Sequence, residues 1–237
     1  MSMEDIIHDL GIFLYGKEEG PVFCREALKT AESYRERLVP SPNYHGAGFP
    51  LNEDDSFIIT YGDSIRSVSR PPLETLNAFL SGNLRPPVSG VHILPFFPYT
   101  SDDGFSVSDY RKVNPSLGGW EDIRALGRSY RLMGDLVLNH CSVKSDAFKK
   151  YLAGDPKYSR YFIEADKDSD LSAVVRPRTH PLLTPYETKE GIKHIWTTFS
   201  ADQEDLNFAH PPVLLEMLDI LLDRKSTRLN SSHGKLS

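Results

Sequence analysis

Cysteine is scarce in this sequence, and its scarcity excludes a disulfide scaffold. The 237 residues contain two cysteines, Cys24 and Cys141, which lie far apart and lack the spacing of a metal site. No apolar run is long enough to cross a bilayer. No basic start followed by an apolar run marks the first residues as a secretion signal. These absences predict a cytoplasmic protein with no membrane partner.

Basic residues are fewer than acidic residues. The formal net charge is -6, and no cluster of Lys or Arg stands out, which argues against a nucleic-acid binder held by phosphate contacts. What is present is an ordinary globular composition, 39% hydrophobic and 25% charged. The chain is therefore long enough to build a sizeable core.

Apolar spacing predicts alternating strands and helices over much of the chain. Helical spacing at residues 3–15 and 24–38 predicts two helices within an N-terminal extension, residues 1–52. From residue 53 to 141, short apolar runs alternate with helical patterns, which is typical of parallel βαβ units. The predicted strands are 56–61, 90–97 and 135–138, and the predicted helices are 71–80, 120–133 and 211–222.

Residues 142–210 interrupt this alternation with a polar, irregular stretch that has no strong period. A connection of this length inside a compact domain is normally functional or a small domain of its own. After residue 222 the sequence resembles a translated sequencing-library adapter, so we predict that residues 223–237 are not native. Three strands leave an open parallel sheet, and the uncovered third strand predicts marginal stability.

Polar residues follow two of the predicted strands at their carboxyl ends. Asn139 and His140 end the third apolar run, and Asp102-Asp103-Gly104 follows the second. In a barrel of parallel strands these ends share the catalytic face, so both stretches are candidates for a functional site. Both also have a plainer interpretation, because Asn, His and Asp-Asp-Gly are ordinary turn residues.

The run from Asp135 to His140, Asp-Leu-Val-Leu-Asn-His, resembles the first shared motif of the alpha-amylase superfamily, glycoside hydrolase family 13. The stretches on either side follow the same family in the same order, from about Phe57 to Leu222. The chain is similar in particular to the sucrose phosphorylase branch, which includes glucosylglycerate phosphorylases. The resemblance implies an α/β fold, the N-terminal part of a (β/α)8 TIM barrel, with a small domain inserted after the third strand.

The resemblance also implies roles for individual residues. Asp102, Phe105 and His140 match positions that bind or wall the glucosyl unit. Arg176 and Arg178 match a stretch on the acceptor side, where a cation suits a phosphate or carboxylate, although a solvated loop is an equally open interpretation. Residues 196–199 are interpreted as residues that pack the fold rather than as residues of the site. The motif positions expected to be structural are Asp135, Asn139, Asp205 and Asn207.

The function implied by the resemblance is a retaining α-glucosyl phosphorylase. It would use inorganic phosphate to convert sucrose or glucosylglycerate into α-glucose 1-phosphate. The family's nucleophile and acid/base carboxylates lie on later strands, so no residue here is predicted to be catalytic, and the chain as given is predicted to be inactive. Glu204 and Asp205 are not interpreted as a catalytic pair, because neighbours in an extended segment point apart.

No cofactor is expected, and no metal, because no cluster of oxygen ligands accompanies Asn139. The nearest alternative is an amylase-type hydrolase or a transglucosylase, which calcium dependence and activity without phosphate would support. An alternative of a different class is a non-catalytic sugar-binding module. An incomplete barrel argues against that module.

Overall fold

The structure is a computed structural model that describes residues 2–37, 53–84, 88–175 and 179–226 and the backbone of 229–233. It divides into two compact units, which are described separately. The hairpin unit comprises Met1–Lys29, Tyr99–Asp109 and Val137–Leu218. The sheet unit comprises Thr30–Pro98, Tyr110–Leu136 and Asp219–Ser237.

The described residues form five α-helices and eight strands, which alternate up to β3. The helices are α1 (Met3–Tyr34), α2 (Pro72–Asn83), α3 (Trp120–Ser129), α4 (Asp146–Leu152) and α5 (Pro211–Ser226). The strands are β1 (Phe57–Thr60), β2 (Gly90–Ile93), β3 (Arg131–Leu136), β4 (His140–Ser142), β5 (Leu183–Thr188), β6 (Gly191–Trp196), β7 (Gln203–Asp205) and β8 (Leu229–His233).

The sheet unit is built on a four-stranded sheet in the order β1-β2-β3-β8. Each neighbouring pair is parallel, as the alternation of strands with helices predicts. The bounds predicted for the third strand are wrong, because β3 begins at Arg131 and α3 ends at Ser129. Leu132 and Met133 suit either a helical or a strand pattern, and they lie opposite β2 in the ladder. Since β3 ends at Leu136, Asp135 lies near the end of its strand rather than at its start.

The edge of β3 is covered, so the predicted uncovered third strand is wrong. β8 pairs with it in parallel from Leu132 opposite Leu229 to Leu136 opposite His233. Helix α5 also continues past the predicted end at residue 222, as far as Ser226. Strand β8 and this continuation of α5 lie within residues 223–237, whose foreign origin stays a prediction.

The core of the sheet unit is aromatic and aliphatic. Phe96 and Phe97 are completely buried after the end of β2, and Phe96 meets the ring of Trp120 edge-on at 5.9 Å. The guanidinium of Arg224, also buried, lies 3.8 Å from the Phe97 ring centre. It donates to the backbone carbonyl of Tyr110 at 2.8 Å, which satisfies part of the hydrogen bonding that a buried cation needs.

Most of α1 belongs to the hairpin unit, and the helix consists of two segments that fold back on each other at Gly16. The φ angle of Gly16 is 74°, a left-handed conformation that glycine adopts without steric cost. The second segment therefore begins well before the predicted residue 24, and it ends at Tyr34 rather than at the predicted residue 38. A Cβ atom added at Gly20 would lie 2.6 Å from the carbonyl oxygen of Gly11, so the two segments cross at a distance that only glycine permits.

The insertion predicted at residues 142–210 is largely ordered despite its weak sequence period. Strands β5 and β6 form an antiparallel hairpin, and β4 pairs with β7 in a second antiparallel ladder. Helix α4 is capped by Ser145, whose hydroxyl accepts from the amide of Phe148 at 3.1 Å. Phe148 is completely buried and meets the rings of Phe162 and Tyr186, each at 4.9 Å. None of the helices in the described residues is long and apolar enough to cross a membrane.

Candidate functional site

Three residues implicated by the sequence come together in the hairpin unit. The side-chain amide of Gln203 links two of them, with its Nε2 atom 3.1 Å from Oδ2 of Asp102 and 3.0 Å from Nε2 of His140. Nε2 of His140 also lies 3.1 Å from the backbone carbonyl of Phe105. Asp102 is exposed at the surface, whereas His140 and Gln203 are buried. The arrangement places a carboxylate over a buried amide and imidazole.

The β4–β7 ladder explains why these segments meet. His140 lies opposite Asp205, and Ser142 lies opposite Gln203. The amide of Ser142 also donates to the carbonyl of Val107 at 2.8 Å, which fixes the loop that carries Asp102. The prediction that His140 ends the third parallel strand is wrong, because this residue begins β4 after a break from β3.

The backbone at Asp102 and Asp103 is strained. Their φ angles are 56° and 49°, and Gly104 follows with a φ of 105°. Consecutive left-handed residues other than glycine are uncommon, although Asp tolerates this region better than most residues. Strain of this kind persists only where the surroundings hold it, and it concentrates at binding sites. The Gln203 contact to Asp102 is one of the restraints.

The carboxylate of Asp202 holds the loop from the other side. Its Oδ2 atom accepts from the hydroxyls of Thr100 at 2.9 Å, Ser101 at 2.7 Å and Ser106 at 3.2 Å. Its Oδ1 atom accepts from Ser200 at 2.6 Å. Burial alone would raise the pKa of this carboxyl, but the four hydroxyl donors outweigh burial and lower the pKa below its ordinary value. We call Asp102, His140, Asp202 and Gln203 the polar cluster.

His140 is a neutral imidazole within this cluster. Burial disfavours the charged ring and lowers its pKa to about 4, although the Phe105 carbonyl and the charges of Asp102 and Asp202 favour the charged form. A neutral ring can both donate and accept. Because a carbonyl only accepts, a protonated Nε2 atom donates to Phe105, and an unprotonated Nε2 atom accepts from Gln203. The ring therefore serves as a donor or an acceptor without a change of charge.

The four motif positions predicted to be structural lie in two places. In the sheet unit, Oδ2 of Asp135 lies 3.0 Å from Nε2 of His92 on the neighbouring strand. In the hairpin unit, the buried Asp205 accepts from the amide of Thr198 at 3.2 Å. Burial raises the pKa of Asp205, and its bonds to Thr198 and to the Asn139 side chain act in the opposite direction.

The fourth of these positions, Asn207, stabilises a turn. Its side chain donates to the carbonyl of Arg160 at 3.0 Å and accepts from the amide of Ala209 at 3.2 Å. Arg176 and Arg178, predicted to line the acceptor side, lie outside the described residues. Within the described parts of the chain, no three His, Cys, Asp or Glu side chains gather as metal ligands would.

Sequence reasoning missed three residues that contact the site. Gln203 and Asp202 carry its hydrogen bonds, and the ring of Phe199, interpreted as packing, lies 5.0 Å from the ring of His140. Nothing in one sequence separates these residues from ordinary polar loop residues. The only available signal was the run of hydroxyls at 100–101 and 106, which needs an acceptor when it is buried.

The fold and the site can now be compared with known proteins. The structure of sucrose 6F-phosphate phosphorylase from Thermoanaerobacter thermosaccharolyticum matches with a TM-score of 0.68 and 26% identity, over 77% of this chain and 40% of that one. Trehalulose synthase MutB from Pseudomonas mesoacidophila matches in fold, with a TM-score of 0.66 and 23% identity, over 79% of this chain and 36% of that one. The fold is therefore part of an α/β barrel.

A family model identifies the class more closely. The model described as "Alpha amylase, catalytic domain" matches residues 87–224. The chain belongs to the alpha-amylase family.

Named relatives lie in one branch of that family. The chain is 49% identical to a glucosylglycerate phosphorylase from Spirochaeta thermophila over 94% of its own length, and it spans 38% of that relative. It is 32% identical to a sucrose phosphorylase from Streptococcus mutans over 64% of its own length, and it spans 33% of that protein. Both relatives are much longer than the matched region.

Proposed function

We propose that this chain supplies the glucosyl-binding residues of a retaining α-glucosyl phosphorylase, with glucosylglycerate and inorganic phosphate as its substrates. The observation that carries the proposal is the 49% identity to a glucosylglycerate phosphorylase over 224 residues. Identity to the sucrose phosphorylase of Streptococcus mutans is 32% over 163 residues. The higher identity favours glucosylglycerate over sucrose.

The geometry of the polar cluster supports sugar binding. The exposed carboxylate of Asp102 can accept two hydroxyl bonds at once, and bonds to an ionised acceptor are stronger than bonds between neutral groups. The neutral ring of His140 can donate to a sugar oxygen or accept from a sugar hydroxyl. The ring of Phe199 supplies a flat apolar surface beside His140, as sugar-binding sites commonly require, and Phe105 is proposed to supply another by its resemblance to the family.

In this proposal the chain binds the sugar, and other residues cleave the glycosidic bond. A retaining enzyme needs a carboxylate nucleophile and a second carboxylic acid that protonates the leaving oxygen. By resemblance to the family, both belong to later barrel strands, consistent with the chain spanning 38% of its longer relative. Arg176 and Arg178 are proposed to favour an anionic acceptor, and Asn139 and Asp205 to brace the site.

The proposed location is the cytoplasm. Both Cys24 and Cys141 are buried free thiols, which is the usual state of cysteine in a reducing compartment. The proposed small-molecule partners are the sugar and phosphate.

The test is an assay of the complete enzyme that carries this sequence. Glucosylglycerate and sucrose are supplied separately, with and without phosphate, and glucose 1-phosphate and free glucose are measured. We expect phosphate-dependent release of glucose 1-phosphate, fastest from glucosylglycerate. Asp102→Asn and His140→Gln should lower kcat/KM by roughly 10- to 100-fold, because each removes a buried or charge-assisted hydrogen bond to the sugar.

The matched control is Asp103→Asn, which changes the neighbouring exposed carboxylate and should alter kcat/KM by less than about threefold. Glucose release that does not depend on phosphate would identify a hydrolase instead. Equal losses in Asp102→Asn and Asp103→Asn would refute the assignment of the sugar contact to Asp102.

A further inference from the structure

Glu204 occupies the middle of β7 and is completely buried. Of its neighbours in sequence, Gln203 belongs to the polar cluster and contacts Asp102, and Asp205 contacts Thr198. Glu204 instead contacts Tyr186 of β5, whose hydroxyl oxygen lies 2.6 Å from Oε1 of the carboxyl. Burying a charged carboxylate is costly, so the protonation state of this carboxyl has to be explained.

The contacts of Tyr186 require more than one proton. Its hydroxyl oxygen lies 2.7 Å from the backbone carbonyl of Ala201 as well as 2.6 Å from Oε1 of Glu204. A phenol that donates to this carbonyl, which can only accept, has no proton left for Glu204. Two oxygens 2.6 Å apart repel each other unless a proton lies between them. The Glu204 carboxyl is the group that can supply this second proton.

The surroundings of Glu204 also disfavour a negative charge. The charged groups that act on it in the described residues, Asp202 and Asp205, are both acidic. Across the ladder lies the buried thiol of Cys141 on β4, with Glu216 of α5 close to that thiol. Oε2 of Glu204 is buried without a hydrogen-bond partner in the described part of the chain. Burial raises the pKa of Glu204 to about 8, aided by these two carboxylates and opposed by hydrogen bonds from Tyr186 and from its own backbone amide to the ionised form.

We propose that Glu204 is a neutral carboxylic acid that donates a hydrogen bond to Tyr186 and so holds β7 in place. The hydrogen-bond chain runs from the carboxyl to the phenol to the Ala201 carbonyl and ties β5 to the loop before β7. Glu204 is therefore a positioning residue for Gln203, and through it for Asp102 and His140. Its effect on sugar binding rests on the proposed function, but its protonation and its effect on folding do not.

The first measurement is the titration of the Glu204 side chain in the intact protein. The carboxyl carbon is labelled with ¹³C and followed by NMR from pH 4 to pH 9. This range extends about one pH unit above the raised pKa of the buried Glu204 carboxyl. We expect the Glu204 resonance to titrate near pH 8. A titration at or below the ordinary value of 4.5 would overturn the proposal.

The second measurement is the pH dependence of unfolding in the protein and in Glu204→Gln. The folded-state pKa is raised, so folding takes up a proton between about pH 4.5 and pH 8, and stability falls as pH rises through that window. An amide at this position still donates to Tyr186 and does not titrate. The ratio of the unfolding constants of the two proteins should therefore change about tenfold for each pH unit inside the window and stay constant above it.

The matched control is Glu187→Gln, an exposed glutamate on the same hairpin, whose unfolding constant should follow the unaltered protein at every pH. Parallel curves for the protein and Glu204→Gln would overturn the proposal. If Glu204→Gln does not fold, the NMR titration of the unaltered protein decides.

In the complete enzyme, KM for the sugar should rise above pH 8 in the unaltered form, and Glu204→Gln should remove this rise. If the titration succeeds and no sugar is turned over, the proposed function fails and the neutral Glu204 stands.

Discussion

The core of the sheet unit and the polar cluster of the hairpin unit are stabilised by opposite kinds of contact. The sheet core is formed by buried rings and aliphatic chains, such as Phe96 against Trp120. The polar cluster is formed by two carboxylates, one of them with four hydroxyl donors, together with a neutral imidazole and an amide. The first kind of contact is non-directional and depends on buried area, whereas the second depends on geometry and protonation. The two regions should therefore respond differently to substitution and to pH.

The largest expected effect tests the sheet core. Phe96→Ala removes a completely buried ring and leaves a cavity, so we expect a loss of about 3 to 5 kcal/mol in the free energy of unfolding. Denaturant unfolding measures the loss, which should be the same at pH 5 and pH 8. The matched control is Phe79→Ala on α2, where 39% of the residue is exposed, and it should cost about 1 to 2 kcal/mol. Equal losses would show that the ring of Phe96 is not held by burial.

The next effect depends on acid and belongs to the polar cluster. The folded-state pKa of His140 is about 4 and lies below the unfolded value of 6.5, so the unfolded chain binds the extra proton in that window. Stability should fall by about 3 kcal/mol as pH falls from 6.5 to 4, and His140→Gln should remove most of this slope. Unfolding at several pH values measures it. His8→Gln, which alters an exposed histidine, should change stability by less than about 0.5 kcal/mol throughout.

A smaller effect tests the carboxylate that holds the loop. Asp202→Ala removes the acceptor of four hydroxyls, and we expect a loss of about 2 kcal/mol near pH 7 after allowance for partial exposure. The folded-state pKa is lowered, so this contribution is present above pH 3.8 and is lost as pH falls through the folded value. Asp168→Ala, at an exposed site, should cost less than about 0.5 kcal/mol. Similar losses in both variants would contradict the assigned role.

The smallest effect concerns the strained loop. Asp103→Gly relieves a left-handed residue with a φ of 49°, and we expect a gain of about 0.5 kcal/mol after the extra chain entropy of glycine is subtracted. Thermal unfolding measures this gain as a small rise in Tm. Asp168→Gly, where no positive φ is relieved, should instead destabilise by about 0.5 kcal/mol. A loss in both variants would show that the left-handed conformation carries no strain.

The two regions also differ in how far the sequence predicted them. The parallel pairing of β1, β2 and β3 is confirmed, because apolar runs that alternate with helical patterns indicate βαβ units. The boundary between α3 and β3 was missed. Leu132 and Met133 fit both periods, and only the ladder with β2 decides between them.

For the polar cluster, the sequence predicted residues but not their contacts. Asp102, Phe105 and His140 were named from a family resemblance. Gln203 links Asp102 to His140, and nothing in the sequence alone marks it as a contact. The protonation of His140 and Glu204 could not be predicted at all. It depends on burial by segments distant in sequence, and an isolated motif contains no information about burial.

The close crossing of the two α1 segments has a consequence for mutational tolerance. Gly11 and Gly20 have no side chains, yet a Cβ atom at Gly11 would lie 2.2 Å from the sulfur of Cys24, and one at Gly20 would meet the facing backbone. In a scan of every substitution, these two positions should therefore tolerate as little change as the buried aromatic residues. Exposed residues of the same helix, such as Phe13 with 84% of its surface accessible, should accept polar replacements.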